Sequence, residues 1–137
     1  MTHGLDDLDK AIAVALAVVP RTLRNGFGGT GVRRRRMPHA TREVAVVVTR
    51  YLGHTYTFFE EGRKVDVNEV EEFIAETLTA VPDDTAKSYA NKLMLYSEPA
   101  RNDIAATTAK ALDDKWRWTY EPADAVNLKP MFGGAPW

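Results

Sequence analysis

The chain has 137 residues, with 45% hydrophobic and 27% charged residues and a formal net charge of −1. This composition is typical of one folded domain and excludes wholesale disorder. The near-neutral balance gives no overall attraction to nucleic acid or to an anionic membrane. Because the chain contains no cysteine, disulfides, thiol catalysis and thiolate metal sites are excluded.

The sequence contains no pattern that directs it to a membrane. A spanning helix needs roughly 18 or more apolar residues, and the apolar run at residues 11–19 is too short. Asp6, Asp7 and Asp9 precede that run, where a signal peptide would carry positive charge. We therefore predict a protein without membrane partners, located in the cytoplasm or assembled there into a particle.

The first predicted element is an N-terminal helix within residues 1–20. Leu5, Leu8 and Ile12 recur at helical spacing and begin an apolar stripe. Acidic residues lie in or near the first turn, where the helix dipole favours negative charge. Pro20 ends the helix, because the residue before a proline is disfavoured in the helical conformation.

A Gly/Arg-rich loop is predicted over residues 21–38. Four glycines within six residues disfavour a regular element, and four consecutive arginines follow. Gly26, Gly28 and Gly31 match G-x-G-x-x-G, but that dinucleotide motif works only between a strand and a helix. Here a proline-ended helix precedes the glycines, so we interpret the segment as a flexible connector and predict no cofactor.

Residues 40–62 fit two kinds of element, of which one helix is the preferred prediction. Apolar residues from Val44 to Phe59 recur at helical spacing, and Gly62 is a suitable C-terminal stop. Gly53 would bend such a helix.

The same stretch also suits a β-hairpin, because its residues are β-branched and aromatic. One hairpin would turn at residues 52–54. A second would turn at residues 61–63, between strands at 55–60 and 64–67. The alternative fold class is therefore α+β with a hairpin in residues 42–67.

Three further helices complete a predicted helical core over residues 39–120. Asn68 is a suitable N-cap with a glutamate three residues later, which is the capping-box spacing. Pro82 ends that helix, and Asp83 caps the next one. In this second helix Tyr89, Leu93 and Tyr96 would share a face. The last helix starts at Ser97, with a proline in its first turn.

The C-terminal stretch, residues 121–137, is predicted to form an extended tail. Three prolines and two glycines forbid a long helix, yet several residues are apolar. We expect the tail to lie along its own domain or along a neighbouring molecule. The predicted fold class is thus mainly α, a small bundle of four to five helices with an extended Pro/Gly-rich C-terminal tail.

Two clusters are candidate contact sites. The first is basic, and its guanidinium groups could neutralise DNA phosphates or pair with an acidic partner surface. It comprises Arg21, Arg24, Arg33, Arg34, Arg35 and Arg36.

The second cluster is aromatic and apolar, and such residues dominate interface hot spots. As an alternative, one tryptophan of this cluster belongs to the core and the other covers it. The predicted interface residues are Trp116, Arg117, Trp118 and Tyr120, with Leu128, Met131, Phe132 and Trp137 of the tail.

No catalytic or metal-binding pattern is present in the sequence. The two serines, Ser88 and Ser97, lack the setting of an activated nucleophile. His3, His39 and His54 show no metal-ligand spacing. We therefore predict no catalytic residues, no metal site and no enzymatic activity.

The preferred prediction is a non-enzymatic structural or interaction protein within a larger homo- or hetero-oligomeric assembly. A helical bundle with an extended tail is similar in architecture to the head-to-tail adaptor proteins of tailed phages. That resemblance implies a connector-like component of a virion. The alternative is a DNA-binding or DNA-organising protein that places the run Arg33 to Arg36 on phosphates.

Overall fold

The structure, a computed structural model, describes residues 4–121. The predicted mainly α class is confirmed, although the described chain has six helices and also a three-stranded sheet. The elements are α1 (Leu5–Ala17), α2 (Arg21–Gly28), α3 (Pro38–Gly53), β1 (Tyr56–Glu60), β2 (Arg63–Lys64), α4 (Val67–Thr79), α5 (Asp83–Tyr89), α6 (Met94–Lys115) and β3 (Arg117–Tyr120). The predicted tail lies outside the described residues, apart from Glu121.

Helices α1, α3, α4 and α6 enclose the core. Leu8, Ile12 and Leu16 follow one another at four-residue spacing on α1 and are fully buried, as the predicted stripe requires. They pack mainly against α6 and α3. Each such leucine or isoleucine contributes roughly 1.5–3 kcal/mol through removal from water, so α1 is an integral layer of the bundle.

The prediction of a loop over the whole of residues 21–38 is wrong for its first part, which forms α2. Phe27 is fully buried, and its burial favours a helix despite two glycines. An ideal Cβ at Gly28 would lie 2.6 Å from both the Ala86 carbonyl oxygen of α5 and the Cβ of Ala90, the residue just after α5. The glycine therefore marks a close helix contact and not flexibility. Gly29, with φ at +80°, ends α2 in the left-handed conformation.

Residues 40–62 are divided between both predicted alternatives, so the single helix is wrong beyond Gly53. Val44, Val48 and Leu52 are buried at four-residue spacing in α3. From Tyr56 onward the burial alternates, as in a strand with one face on the core. The period of the buried residues changes from helical to alternating within this stretch. A prediction of one element over the whole stretch therefore fails.

The hairpin turns where its predicted alternative placed the turn. Glu60 pairs with Arg63, and the two residues between them, Glu61 and Gly62, have φ values of +53° and +80°. Positive φ at both central residues matches the twist of the flanking strands. β3 completes the sheet on the other side of β1, in the order β2-β1-β3. No local sequence pattern predicted β3.

The starts of the later helices differ from prediction by a few residues. Asp66, not Asn68, caps α4, because its carboxylate accepts the Asn68 backbone N–H at 2.8 Å. Pro82 occupies the N-cap of α5. Helix α6 begins at Met94, so Pro99 lies inside the helix and not at its start.

The sheet lies at one end of the bundle, and α2 and α5 lie at the other. A cleft at the sheet end is lined by the end of α3, the hairpin and the start of α4. At the opposite end the Tyr89 hydroxyl donates to the Leu16 carbonyl at 2.5 Å, which joins α5 to the end of α1. The Phe27 ring meets Tyr89 edge-on, with centroids 5.8 Å apart.

Burial of Tyr89 makes the free energy of unfolding decrease at alkaline pH. Desolvation raises the pKa of Tyr89 to about 12, although the adjacent Arg24 opposes part of that shift. The neutral hydroxyl therefore stabilises the fold fully below about pH 10, and this contribution is lost as the pH rises through 12. We expect the free energy of unfolding to fall by about 1.4 kcal/mol between neutral pH and roughly pH 11.

Urea unfolding of wild type and Tyr89→Phe across alkaline pH measures this contribution. The variant should lose about 1 kcal/mol at neutral pH, from the missing hydrogen bond. It should also show a shallower alkaline decline, with a remainder from Tyr56, whose pKa burial also raises to about 12. Identical pH profiles for the two proteins would contradict the assignment to Tyr89.

Candidate interaction surfaces

The predicted basic cluster divides into two groups with different environments. Arg21, Arg24 and Arg36 donate to main-chain carbonyls of neighbouring helices. Arg33, Arg34 and Arg35 are exposed. The sequence predicted one contact surface for all six, whereas three of them form hydrogen bonds within the fold.

Arg36 joins the ends of α2 and α4. Its Nε donates to the Phe27 carbonyl at 2.9 Å, and its two Nη atoms donate to the Val81 and Leu78 carbonyls at 2.5 and 3.0 Å. The guanidinium also lies 4.7 Å from the centroid of the Phe27 ring. Carbonyls at a helix C-terminus lack intrahelical donors and carry partial negative charge. The guanidinium supplies N–H donors to these carbonyls and a positive charge beside them.

Arg24 and Arg21 cap the other helices of this end. Arg24 donates to the Val19 and Ala17 carbonyls at 3.1 and 2.5 Å and lies over the Tyr89 ring. Arg21 donates to the Ala90 carbonyl at 2.6 Å, just after α5. Both side chains are therefore committed to the ends of α1 and α5.

The remaining three arginines lie on a loop of defined conformation, residues 29–37, which we call the arginine loop. Its closing residue, Met37, donates its backbone N–H to the Gly26 carbonyl at 2.8 Å. The backbone N–H of Arg34 donates to the Gly31 carbonyl at 2.9 Å. Arg34 has φ at +54°, the left-handed region, which costs an L-residue about 1–2 kcal/mol. Within residues 4–121, Arg33, Arg34 and Arg35 form no ion pair.

The predicted aromatic cluster is largely part of the fold. Trp116 is buried between the Phe58 and Phe73 rings, so in the described chain it is part of the core and not of an exposed surface. Trp118 is half-buried, donates its indole N–H to Asp113 at 2.9 Å and packs on Tyr56. The alternative, in which one tryptophan is core and the other covers it, describes this arrangement.

The other members of the predicted interface have different environments. Arg117 is exposed on β3, and Tyr120 is half-buried against Tyr56. The four tail residues lie outside the described part of the chain: Leu128, Met131, Phe132 and Trp137.

An exposed apolar surface lies where the sequence predicted one continuous helix with a shared apolar face. Leu93, Met94, Leu95 and Tyr96 are 60%, 69%, 75% and 50% exposed; we call them the apolar segment. Leu93 and Tyr96 were expected to share a face of one helix with Tyr89, but α5 ends at Tyr89 and α6 starts independently at Met94. The run Leu-Met-Leu-Tyr, whose last residue lies three positions before Pro99, was the sequence feature that could have revealed it.

The apolar segment lies at the solvent-exposed start of α6. The first buried residue of α6 is Ala100, so none of the six preceding helical residues, about 9 Å of helix at 1.5 Å per residue, is buried. Pro99 has no N–H to donate to the Leu95 carbonyl, which leaves this first turn with one fewer helical hydrogen bond.

A shallow groove accompanies the apolar segment on its α5 side. Leu95, Tyr96 and Pro99 of α6 line it together with Thr85 and Ser88 of α5, and its volume is about 350 Å³. Charged residues, among them Lys92 and Glu98, flank the segment in the chain. An apolar centre with a polar rim is the usual composition of a protein–protein interface.

Metal-binding geometry is not found in the described range: no three His, Asp or Glu side chains of residues 4–121 are placed to hold an ion. Over the same residues, none of the helices has the length and hydrophobicity to cross a membrane. No protein-family model matches the chain, and no curated protein or solved structure is significantly similar to it.

Proposed function

We propose that this protein is a non-enzymatic component of an oligomeric assembly, in which copies associate through the apolar segment. The observation that supports this function is the exposure of four consecutive large apolar side chains at the start of α6. Soluble monomers rarely expose contiguous apolar patches of this kind, and such patches mark interaction sites.

The energetics of the segment favour burial against another protein. Each large apolar side chain contributes roughly 1.5–3 kcal/mol when it is fully removed from water. Tyr96 adds a hydroxyl that can remain hydrated at the rim of an interface, a property that makes tyrosine frequent at hot spots. The tail residues Leu128, Met131, Phe132 and Trp137 remain candidate contacts by composition.

Replacement of Leu95 by glutamate tests the proposed interface. Because Leu95 is exposed in the single chain, we expect a change in unfolding free energy within about 0.5 kcal/mol. Association should weaken at least tenfold, since a buried unpaired charge is strongly unfavourable. Sedimentation equilibrium over a range of protein concentrations measures the association constant.

Val14→Glu is the matched control, because Val14 is 48% exposed on α1 and lies outside the apolar segment. We expect it to associate like the wild type. A wild-type protein that is monomeric at every concentration, or equal association of the two variants, would exclude the apolar segment as the interface.

A further inference from the structure

We propose that the arginine loop is a binding site for the phosphate backbone of duplex DNA, with Arg33, Arg34 and Arg35 as the contacting residues. This site is separate from the apolar segment and goes beyond the association proposed above. Four observations support it: the exposure of these side chains, the absence of an ion pair to any acid of residues 4–121, the anchoring of the loop, and its chemistry.

The first two observations separate these arginines from their neighbours in sequence. Arg36, next in the chain, is only 18% exposed and donates to three main-chain carbonyls. Arg33, Arg34 and Arg35 are exposed and pair with no acid of the described chain. Three adjacent positive charges without compensation repel one another and therefore favour an external polyanion.

The loop is anchored at both ends, so the three side chains extend from a defined base. Gly29 and Thr30 continue directly from α2, and the Thr30 N–H donates to the Asn25 carbonyl at 2.9 Å. Met37 closes the loop on Gly26, while the Arg36 side chain attaches it to α4. A binding loop that is already ordered loses less conformational entropy on binding. The left-handed Arg34 is the type of local strain that concentrates in binding segments.

The chemistry of the loop favours phosphates over a protein surface. Protein interfaces need an apolar centre, and the exposed part of this loop offers only Val32 for that purpose. A guanidinium donates two parallel N–H bonds to phosphate oxygens, which an ammonium cannot do. Gly29, Thr30 and Gly31 are small, so the backbone can approach a strand closely. His39, exposed in the first turn of α3, is a further donor beside the loop.

The test measures binding of the full chain to a random-sequence duplex of about 20 base pairs, by fluorescence anisotropy at several salt concentrations. Each phosphate contact contributes about 0.9 to the slope of log K against log salt. We expect the triple variant Arg33→Ala, Arg34→Ala, Arg35→Ala to bind more weakly and to lose up to about 2.7 from the magnitude of that slope. All three positions are exposed, and circular dichroism should show an unchanged fold.

The matched control carries Lys10→Ala, Arg50→Ala and Lys64→Ala, which removes the same charge from exposed positions outside every candidate surface. It should keep the wild-type slope. An equal slope loss in control and loop variant, or no wild-type binding at low salt, overturns the site. Polyglutamate that competes as strongly as duplex DNA also overturns it, since that result assigns the loop to an acidic protein.

Gly29→Ala separates the anchored conformation of the loop from its charge. An added Cβ would lie 3.2 Å from the Arg36 backbone nitrogen at a position with φ of +80°, so the loop must shift while all six arginines remain. We expect DNA affinity to fall several-fold. Unchanged affinity would overturn the role of the anchored conformation.

Discussion

Replacement of Arg36 by alanine is expected to lower the free energy of unfolding by about 3–5 kcal/mol. The guanidinium donates to three carbonyls at the ends of α2 and α4 and also contacts Asp83 at 3.2 Å. A hydrogen bond to a charged group contributes about 1.5–3 kcal/mol, so the loss of several such bonds together gives this range. The Leu78 carbonyl keeps a second donor, the Val81 N–H at 3.1 Å. Asp83 contributes little to this loss, because its side chain is 90% exposed.

Adjacent arginines provide the controls for this experiment. Arg35→Ala removes the same charge from an exposed side chain, and its effect should lie within about 0.5 kcal/mol. Arg36→Lys should recover less than half of the loss, because a single ammonium cannot reproduce the planar fork that reaches carbonyls in several directions. Urea denaturation measures all three. Similar losses for Arg36→Ala and Arg35→Ala would refute the structural role of Arg36.

Replacement of Gly28 by valine is expected to cost about 3 kcal/mol, and replacement by alanine about 2 kcal/mol. Helix propensity alone favours alanine over glycine by about 1 kcal/mol. A loss of stability in Gly28→Ala would therefore indicate a steric clash, and a gain would indicate propensity alone. The added Cβ would lie 2.6 Å from the Ala86 carbonyl oxygen and from the Ala90 Cβ. Because the first of these atoms belongs to a helix backbone, α2 and α5 must separate.

Gly53→Ala is the matched control, since Gly53 lies at the end of α3 with nothing within 4 Å of its added Cβ. It should stabilise the protein by about 0.4–1 kcal/mol, through restriction of the unfolded chain. Thermal and urea unfolding compare the variants. A stabilised Gly28→Ala would contradict the close contact of α2 with α5.

Helices with a regular apolar stripe could be predicted from the sequence, because their pattern is local. Leu8, Ile12 and Leu16 carry the signature of α1 within nine residues. The stretch containing Val44 and Phe58 satisfied a helical and an alternating period at once, so local pattern could not locate the change at Gly53. β3 pairs with residues about 60 positions earlier, and no window of local sequence contains both partners.

The environments of the side chains in the candidate sites could not be predicted from local sequence either. Arg35 and Arg36 are identical neighbours in sequence, yet one is exposed and the other is held by helix ends that the chain brings together only on folding. The glycines of α2 indicated flexibility by residue type, whereas their small size is what the packing requires. Leu93 and Tyr96 had the spacing of a buried face, and the break between α5 and α6 left them outside the core.

The pairing of α1 with α6 and of β1 with β3 also determines when the chain can fold during its synthesis. Until the ribosome has released α6, the apolar face of α1 lacks its principal partner, and one edge of β1 remains open. At about 5–20 residues per second, α6 and β3 require a few seconds of translation. A nascent chain that stops before Met94 therefore exposes apolar surface and an unpaired strand edge, the features that recruit chaperones and promote aggregation.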